Sequence, residues 1–186
     1  MLFIVKHYYL YDSALKYNAQ GGLIMDFDLN KIVFEKATLS DVDKMLSIIH
    51  RCMKEVNYKD YEPCQFEKIL NGFTTEWLSD IVLNRHFYSV KYNGEIIGTG
   101  GISRDTSQEK QSYYTAIFIN PDYQKMGIGK KLIKFLEQDE WCLDSNLIEI
   151  PSSKSSHEFY HKLGYEYRTN PPIFKEDGST IMYKYR

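Results

Sequence analysis

In the second half of this chain, a strand, a glycine-rich turn and a helix follow one another directly and limit the folds open to it. Residues 112–120 read SYYTAIFIN and are rich in the β-branched and aromatic residues that strands favour. Gly127 and Gly129 follow, and apolar residues then recur at helical spacing. The first amides of a helix lack intrahelical acceptors and the helix dipole makes that end positive, so the pattern predicts an anion site.

The residues around the glycine pair narrow the type of anion. A phosphate can approach amides where no Cβ stands in the way, and Lys125, Lys130 and Lys131 add positive charge. The loop lacks the Gly-Lys-Ser/Thr of a Walker A motif, and Leu132 stands where the dinucleotide fingerprint has its third glycine. Phosphate or pyrophosphate binding is one interpretation, and a helix start whose glycines serve only tight packing is the other.

The remaining segments predict an α+β or α/β fold with helices on the faces of a sheet. Residues 57–73 are interpreted as loop and short helix, and Asn93-Gly94 as a hairpin turn. Ser40 to Asp43 and Ser155 to Glu158 have the spacing of capping boxes, while Thr74 or Thr75 caps another helix. The predicted strands are 31–37, 86–92, 95–103, 112–120, 146–150, 165–168 and 179–185.

Two interpretations stay open for the N-terminal extension, residues 1–30. Gln20-Gly21-Gly22 can be encoded by CAA GGA GGA, a purine run like a bacterial ribosome-binding site, and Met25 follows after a short spacer. Met25 is then an alternative start, and residues 1–24 are a translated leader. In the other interpretation, the extension is a genuine helix or strand that packs on the domain formed by residues 31–186.

Composition excludes several classes of protein. The 186 residues favour one domain, and 23 Lys and Arg against 25 Asp and Glu give a net charge of −2, unlike a general nucleic-acid binder. No apolar run is long enough to span a bilayer. Cys52, Cys64 and Cys142 lack metal-site spacing and are interpreted as reduced thiols. We expect a cytoplasmic protein without metal, nucleic-acid or membrane partners.

Three segments resemble the GCN5-related N-acetyltransferase (GNAT) superfamily. Residues 124–129, QKMGIG, are similar to its Gln/Arg-x-x-Gly-x-Gly/Ala motif, residues 117–121 to its Leu-Tyr-Val-Asp-Pro strand end, and residues 158–165 to its Phe-Tyr-x-Lys-x-Gly-Phe segment. The resemblance covers residues 31–186. It implies a mixed, mostly antiparallel sheet of about six to seven strands with about four helices. The sheet is splayed between the fourth and fifth strands, 112–120 and 146–150, with acetyl-CoA as co-substrate in the gap.

The resemblance also implies roles for individual residues around the donor. Backbone groups of Phe118 and Ile119 pair with pantetheine, and an amide of that strand polarises the thioester carbonyl. Ser153 stands where many members have an asparagine that contacts pantetheine. The residues expected to hold the pyrophosphate are Gln124, Met126, Gly127, Ile128, Gly129 and Lys130.

The same resemblance assigns acid and base chemistry. Tyr160 gives its phenolic proton to the departing CoA thiolate, since the ordinary pKa values of phenol and thiol are similar. Tyr113 occupies the position where the histone-acetylating branch has a glutamate base, so Glu149 on the next strand is the candidate base. A core aromatic role for Tyr160 and a solvated or ion-paired role for Glu149 are the competing interpretations.

The acceptor is expected between the first two helices and the loop before the last strand. Residues 58–64 and 169–178 offer aromatic and acidic groups there, which attract amines by charge and cation–π contact. The favoured function is acetyl transfer to a primary amine of a small molecule or peptide, by a monomer or homodimer. The alternatives are a non-catalytic acyl-CoA sensor on the same fold and a nucleotide-binding module.

Overall fold

A computed structural model describes residues 16–17, 23–24, 27–104, 110–175 and 178–186. The chain divides into two units, Met1–Asn30 and Lys31–Arg186. In the first unit, strand β1 (Lys16–Tyr17) pairs antiparallel with strand β2 (Leu23–Ile24). Met25, the alternative start, lies outside the described residues.

The second unit is built on a seven-stranded sheet with the order β3-β4-β5-β6-β7-β9-β8. Only β6 and β7 run parallel, and every other neighbouring pair is antiparallel. This arrangement confirms the predicted mixed, mostly antiparallel sheet. The strands are β3 (Ile32–Lys36), β4 (His86–Tyr92), β5 (Glu95–Arg104), β6 (Gln111–Ile119), β7 (Leu147–Ser153), β8 (Glu166–Tyr167) and β9 (Ser179–Tyr185).

Six α-helices are present in the described part of the chain, where about four were expected from the resemblance. They are α1 (Val42–Glu55), α2 (Pro63–Gly72), α3 (Thr75–Asn84), α4 (Ile128–Leu136), α5 (Glu140–Leu143) and α6 (His157–His161). The prediction of loop and short helix for 57–73 was wrong in part, because α2 has ten residues with Pro63 in its first turn. Tertiary packing of its apolar side chains stabilises it, since Phe66, Ile69 and Leu70 contact the core.

The helix starts were predicted with mixed success. Thr74 caps α3 and accepts a hydrogen bond from the Trp77 amide at 3.2 Å. The capping box before α1 lies at Thr38 and Asp41, two residues earlier than predicted. Ser156, without a side-chain capping bond, precedes α6, so the predicted box beginning at Ser155 was wrong. The Ser155 hydroxyl instead donates to a carboxylate of another loop.

Strands β6 and β7 separate soon after they meet. They pair only over Gln111–Tyr113 and Leu147–Glu149, and the rest of β7 pairs with β9 alone. A bulge in β6 leaves Ala116 and Ile117 opposite a single β5 residue, and Ala116 has a φ of 47°. The expected splay between these two strands is therefore present, and it opens towards their carboxyl ends.

The sheet carries a core on each face. Met45 and Ile49 of α1 and Leu78 of α3 pack with Phe87 on the first face. Because side chains alternate along a strand and Phe87 is opposite Gly101 and then Thr115, Tyr113 also belongs to this face. Helices α4 and α6 cover the second face. The two sides of the splay therefore have separate surroundings.

The first core generates a stability prediction with an internal control. Leu78 is fully buried, whereas Leu83 on the same helix is 66% exposed. We expect Leu78→Ala to lower the free energy of unfolding by about 2–5 kcal/mol, because it leaves a cavity. Leu83→Ala should change it by less than about 0.5 kcal/mol. Urea unfolding followed by circular dichroism measures both, and equal losses would contradict the assigned core.

Candidate functional site

The free edge of β6 inside the splay is the centre of the candidate site. The Asn120 amide donates to the Ile97 carbonyl at 2.8 Å. Antiparallel pairs alternate, so Thr99 and Phe118 form the next hydrogen-bonded pair, and the backbone of Ile119 faces the gap. The sequence assigned backbone contacts with pantetheine to both residues. In this register the backbone groups of Phe118 face β5, and the contact of this residue with pantetheine stays a prediction.

The Ile119 carbonyl at this edge already has two donors. Gln124 Nε2 donates at 2.9 Å and the Cys52 thiol of α1 at 3.1 Å. Burial raises the pKa of Cys52 to about 12, so the thiol keeps its proton at neutral pH. The side chain of Gln124, predicted to contact pyrophosphate, holds the junction between β6 and the glycine loop in this structure.

The two glycines of the loop have different roles. Gly127 precedes α4 with a φ of 84°, a left-handed conformation that glycine adopts without strain. A Cβ at Gly129 would lie 3.2 Å from the Phe159 ring of α6, so this glycine allows close packing. The packing interpretation therefore holds for Gly129. This packing leaves the predicted anion site possible in the same loop, because the helix start still presents its first amides.

Those amides belong to Ile128, Gly129 and Lys130 at the start of α4. The first backbone bond of the helix runs from the Lys131 amide to the Gly127 carbonyl at 3.1 Å. The amides before it point out of the helix end, where the dipole favours negative charge. Met126 precedes them in the same turn, so the predicted pyrophosphate residues form one continuous segment.

Arg51 of α1 anchors the loop that precedes the glycines, and sequence reasoning missed it. Its guanidinium donates to Asn120 Oδ1 at 3.0 Å and to Asp122 Oδ2 at 2.8 Å. It also forms two hydrogen bonds with Glu55, one helical turn away. The bond from Arg51 lowers the pKa of Asp122. The spacing of Arg51 and Glu55 is a local signal, but the link to Asp122 is not.

Tyr160 lies on the second face of the sheet. It is 5% exposed, and its ring packs against Phe159 and Tyr165 at centroid distances of 4.9 Å and 6.1 Å. Its hydroxyl makes no hydrogen bond to any described residue. Burial raises the pKa of this phenol, so it is protonated at neutral pH. The Phe159 ring lies between Tyr160 and Gly129, so the predicted acid packs through this ring against the start of α4.

Glu149 lies on the first face, at the last paired position before the strands separate. It is opposite Tyr113 in the parallel register and is 7% exposed. Arg168 forms an ion pair with its carboxylate. This contact agrees with the ion-paired interpretation of Glu149, and its role as the base stays a prediction.

A polar cluster joins the end of β7 to the turn after α1. Asn57 Nδ2 donates to Ser153 Oγ and to Asp60 Oδ2, each at 3.3 Å. Ser155 Oγ donates to the same Asp60 oxygen at 2.6 Å, and Ser153 Oγ donates to Ser156 at 3.1 Å. Ser153, predicted to contact pantetheine, therefore lies at the open end of the splay. Asn57 is a member that the sequence did not indicate.

Within 27–104, 110–175 and 178–186, no group of three or more His, Cys, Asp or Glu side chains is arranged to hold a metal ion. None of the helices in the described part of the chain is long and apolar enough to cross a membrane.

Comparison with known proteins gives the fold a family. The model of the Acetyltransferase (GNAT) family matches residues 44–165, while a search of curated proteins returned no match. Among solved structures, the PaiA N-acetyltransferase of Thermoplasma acidophilum in complex with coenzyme A aligns with a TM-score of 0.71 at 15% identity, covering 83% of this chain and 99% of that one.

Two further structures show the same fold. A GCN5-related N-acetyltransferase from Rhodopseudomonas palustris aligns with a TM-score of 0.70 at 15% identity, covering 87% of this chain and 100% of that chain. N-acetylglutamate synthase of Neisseria gonorrhoeae, complexed with coenzyme A and N-acetyl-glutamate, gives 0.63 at 11% identity over 83% of this chain and 35% of that one. By its matched domain and its splayed sheet, the chain belongs to the GNAT acetyltransferase family, whose acetyl donor is acetyl-CoA.

Proposed function

We propose that this chain is an N-acetyltransferase that transfers the acetyl group of acetyl-CoA to a primary amine of a small molecule or peptide. The observation that carries the proposal is the splay between β6 and β7, which ends at the open start of α4. An extended ligand can pair with the free edge of β6 as an added strand while its phosphates meet the helix amides.

The donor is held along this path by backbone groups and small side chains. Ile119 offers backbone groups to pantetheine once Gln124 gives up the carbonyl, and Ser153 offers a hydroxyl at the opposite edge. The amides from Met126 to Lys130 hold the pyrophosphate. The charge of Lys130 strengthens the attraction for phosphate.

The attacking amine and the leaving sulfur lie on opposite faces of the sheet. The amine approaches from the first face, beside α1 and α2, and attacks the thioester carbonyl directly. The sulfur leaves towards the second face, where Tyr160 supplies a proton. Burial raises the pKa of the Tyr160 phenol, so it is protonated at neutral pH and gives up its proton less readily than an exposed phenol.

One observation favours a second candidate, a non-catalytic acyl-CoA sensor. Tyr113 replaces the glutamate of the histone-acetylating branch, and the carboxylate of Glu149 is ion-paired with Arg168. A sensor would bind acetyl-CoA and release no thiol with any amine. Binding and turnover therefore have to be measured separately.

Ligand-dependent unfolding tests the donor site. We expect acetyl-CoA at 100 times its dissociation constant to raise the free energy of unfolding by about 2.7 kcal/mol, because it binds only the folded chain. ATP and NAD at the same concentration are the controls and should cause little change. A shift with ATP or NAD but none with acetyl-CoA would contradict the donor assignment and favour a nucleotide-binding module.

Tyr160→Phe tests the proton donor. Loss of the phenolic proton should lower kcat by about 100-fold or more, while acetyl-CoA affinity changes little because the ring remains. Tyr185→Phe, at a side chain that is 71% exposed on β9, is the matched control and should keep its activity. Thiol release at saturating acetyl-CoA gives kcat, and an unchanged kcat would remove Tyr160 as the acid.

Arg51→Met tests whether α1 positions the glycine loop. Without the bonds to Asn120 and Asp122 the loop should lose its fixed position, so acetyl-CoA should bind about tenfold more weakly, the equivalent of one charge-assisted hydrogen bond. Lys54→Met, an exposed cation on the same helix, controls for the change in charge. Calorimetric titration measures both, and equal affinities would show that the loop keeps its position unaided.

A further inference from the structure

Asp60 is a buried carboxylate without a cation. It ends the short 3-10 turn Asn57–Asp60 that follows α1, and it is 6% exposed. Its hydrogen-bond donors, Ser155 and Asn57, are both neutral. No described Lys, Arg or His side chain forms an ion pair with it. Buried carboxylates in proteins are normally paired with a cation, and among the described residues this one has none.

Asp60 lies beside the end of β7 that borders the gap. The pairing of β6 with β7 stops at Tyr113 and Glu149, and β7 continues from there to Ser153. Asn57 bridges Ser153 and Asp60 through one amide nitrogen. The carboxylate therefore lies beside the carboxyl end of β7, beyond the point where the two strands separate.

The loop before β9 approaches the backbone of Asp60. A Cβ on Gly178 would lie 2.5 Å from the Asp60 carbonyl oxygen and 3.6 Å from the Tyr61 ring. Gly178 also has a φ of 73°, so the close approach depends on glycine. Asp60 thus belongs to residues 58–64, one of the two segments between which the acceptor is expected, and its backbone lies against the end of the other, residues 169–178. The neighbouring cations Lys59 and Lys154 are both exposed.

We propose that Asp60, rather than Glu149, receives the acceptor amine and accepts its proton. This inference rests on the proposed N-acetyltransferase function. Glu149 already has Arg168 as its cation and lies four residues before Ser153, about 13 Å along β7. Asp60 has only neutral hydrogen-bond partners and lies beside the end of β7, beyond the separation of the strands. Its burial strengthens the attraction for an ammonium group.

The proton balance of the reaction is complete with these groups. The acceptor ammonium gives one proton to Asp60, which passes it to solvent, and the neutral amine attacks the thioester carbon. The C–N bond forms, and the electron pair of the breaking C–S bond goes to sulfur. Tyr160 protonates that sulfur, and the second proton lost by the new amide nitrogen restores the phenol.

Asp60→Asn tests the proposal, because it removes the charge and keeps an oxygen that can accept from Ser155. Rates of thiol release are measured with benzylamine, 1,4-diaminobutane and a lysyl peptide between about pH 6 and pH 10. We expect a loss of about 100-fold or more near pH 7. The loss should shrink as the pH approaches an amine pKa of about 10.4, since solution then supplies neutral amine.

Several controls separate a chemical role from a structural one. Acetyl-CoA affinity of Asp60→Asn should equal that of the unmodified chain, and Glu67→Gln, an exposed acid on α2, should keep full activity. Asp60→Glu retains the charge and should keep partial activity with the original pH profile. It serves as the second variant if Asp60→Asn folds poorly.

Each outcome has one interpretation. Full activity of Asp60→Asn near pH 7, or a loss that is the same at every pH, would overturn the role of Asp60 and leave the transferase intact. An unmodified chain that binds acetyl-CoA and acetylates none of the three amines would overturn the proposed function, and the role of Asp60 with it. A pH-dependent loss with unchanged acetyl-CoA binding would support both.

Discussion

The short contact between β6 and β7 is the interaction on which the rest of the site depends. Backbone groups of a buried strand need hydrogen-bond partners, and the divergence leaves the edge of β6 without a neighbouring strand. The chain meets part of this need itself, since Cys52 and Gln124 both donate to Ile119. An extended ligand with amide groups of its own can form the remaining hydrogen bonds of this edge, so the gap suits a long, amide-containing donor.

The position of the splay also separates unlike chemistry. Charged and polar groups gather on the face of α1 and α2, where Asp60, Glu149 and Tyr113 lie. The face of α4 and α6 is aromatic around Tyr160 and Tyr165. Low polarity there keeps a phenol neutral, while a buried carboxylate on the other face attracts a cation. The gap between β6 and β7 thus lies between a face with a carboxylate, which can accept a proton, and a face with a phenol, which can donate one.

Local patterns in the sequence were sufficient for much of the fold and for the helix start that the proposed donor site uses. Alternation predicted the strands, Asn93-Gly94 predicted the hairpin, and the glycine pair predicted the start of α4. The missed features depend on contacts between distant residues. Arg51 meets Asp122 across 71 positions, and Ser155 meets Asp60 across 95, so no window of sequence reveals either pair. The missed length of α2 has the same origin, because packing on the core stabilises it.

The contact between Gly129 and Phe159 connects the start of α4 with the helix that carries Tyr160. A single additional carbon at position 129 would press on the ring beside the phenol. The missing Cβ therefore sets the spacing between the start of α4 and the helix that carries Tyr160. Substitutions at positions 129 and 159 depend on each other, because a larger side chain at one position needs a smaller one at the other. The side-chain volumes at positions 129 and 159 should therefore covary among related chains.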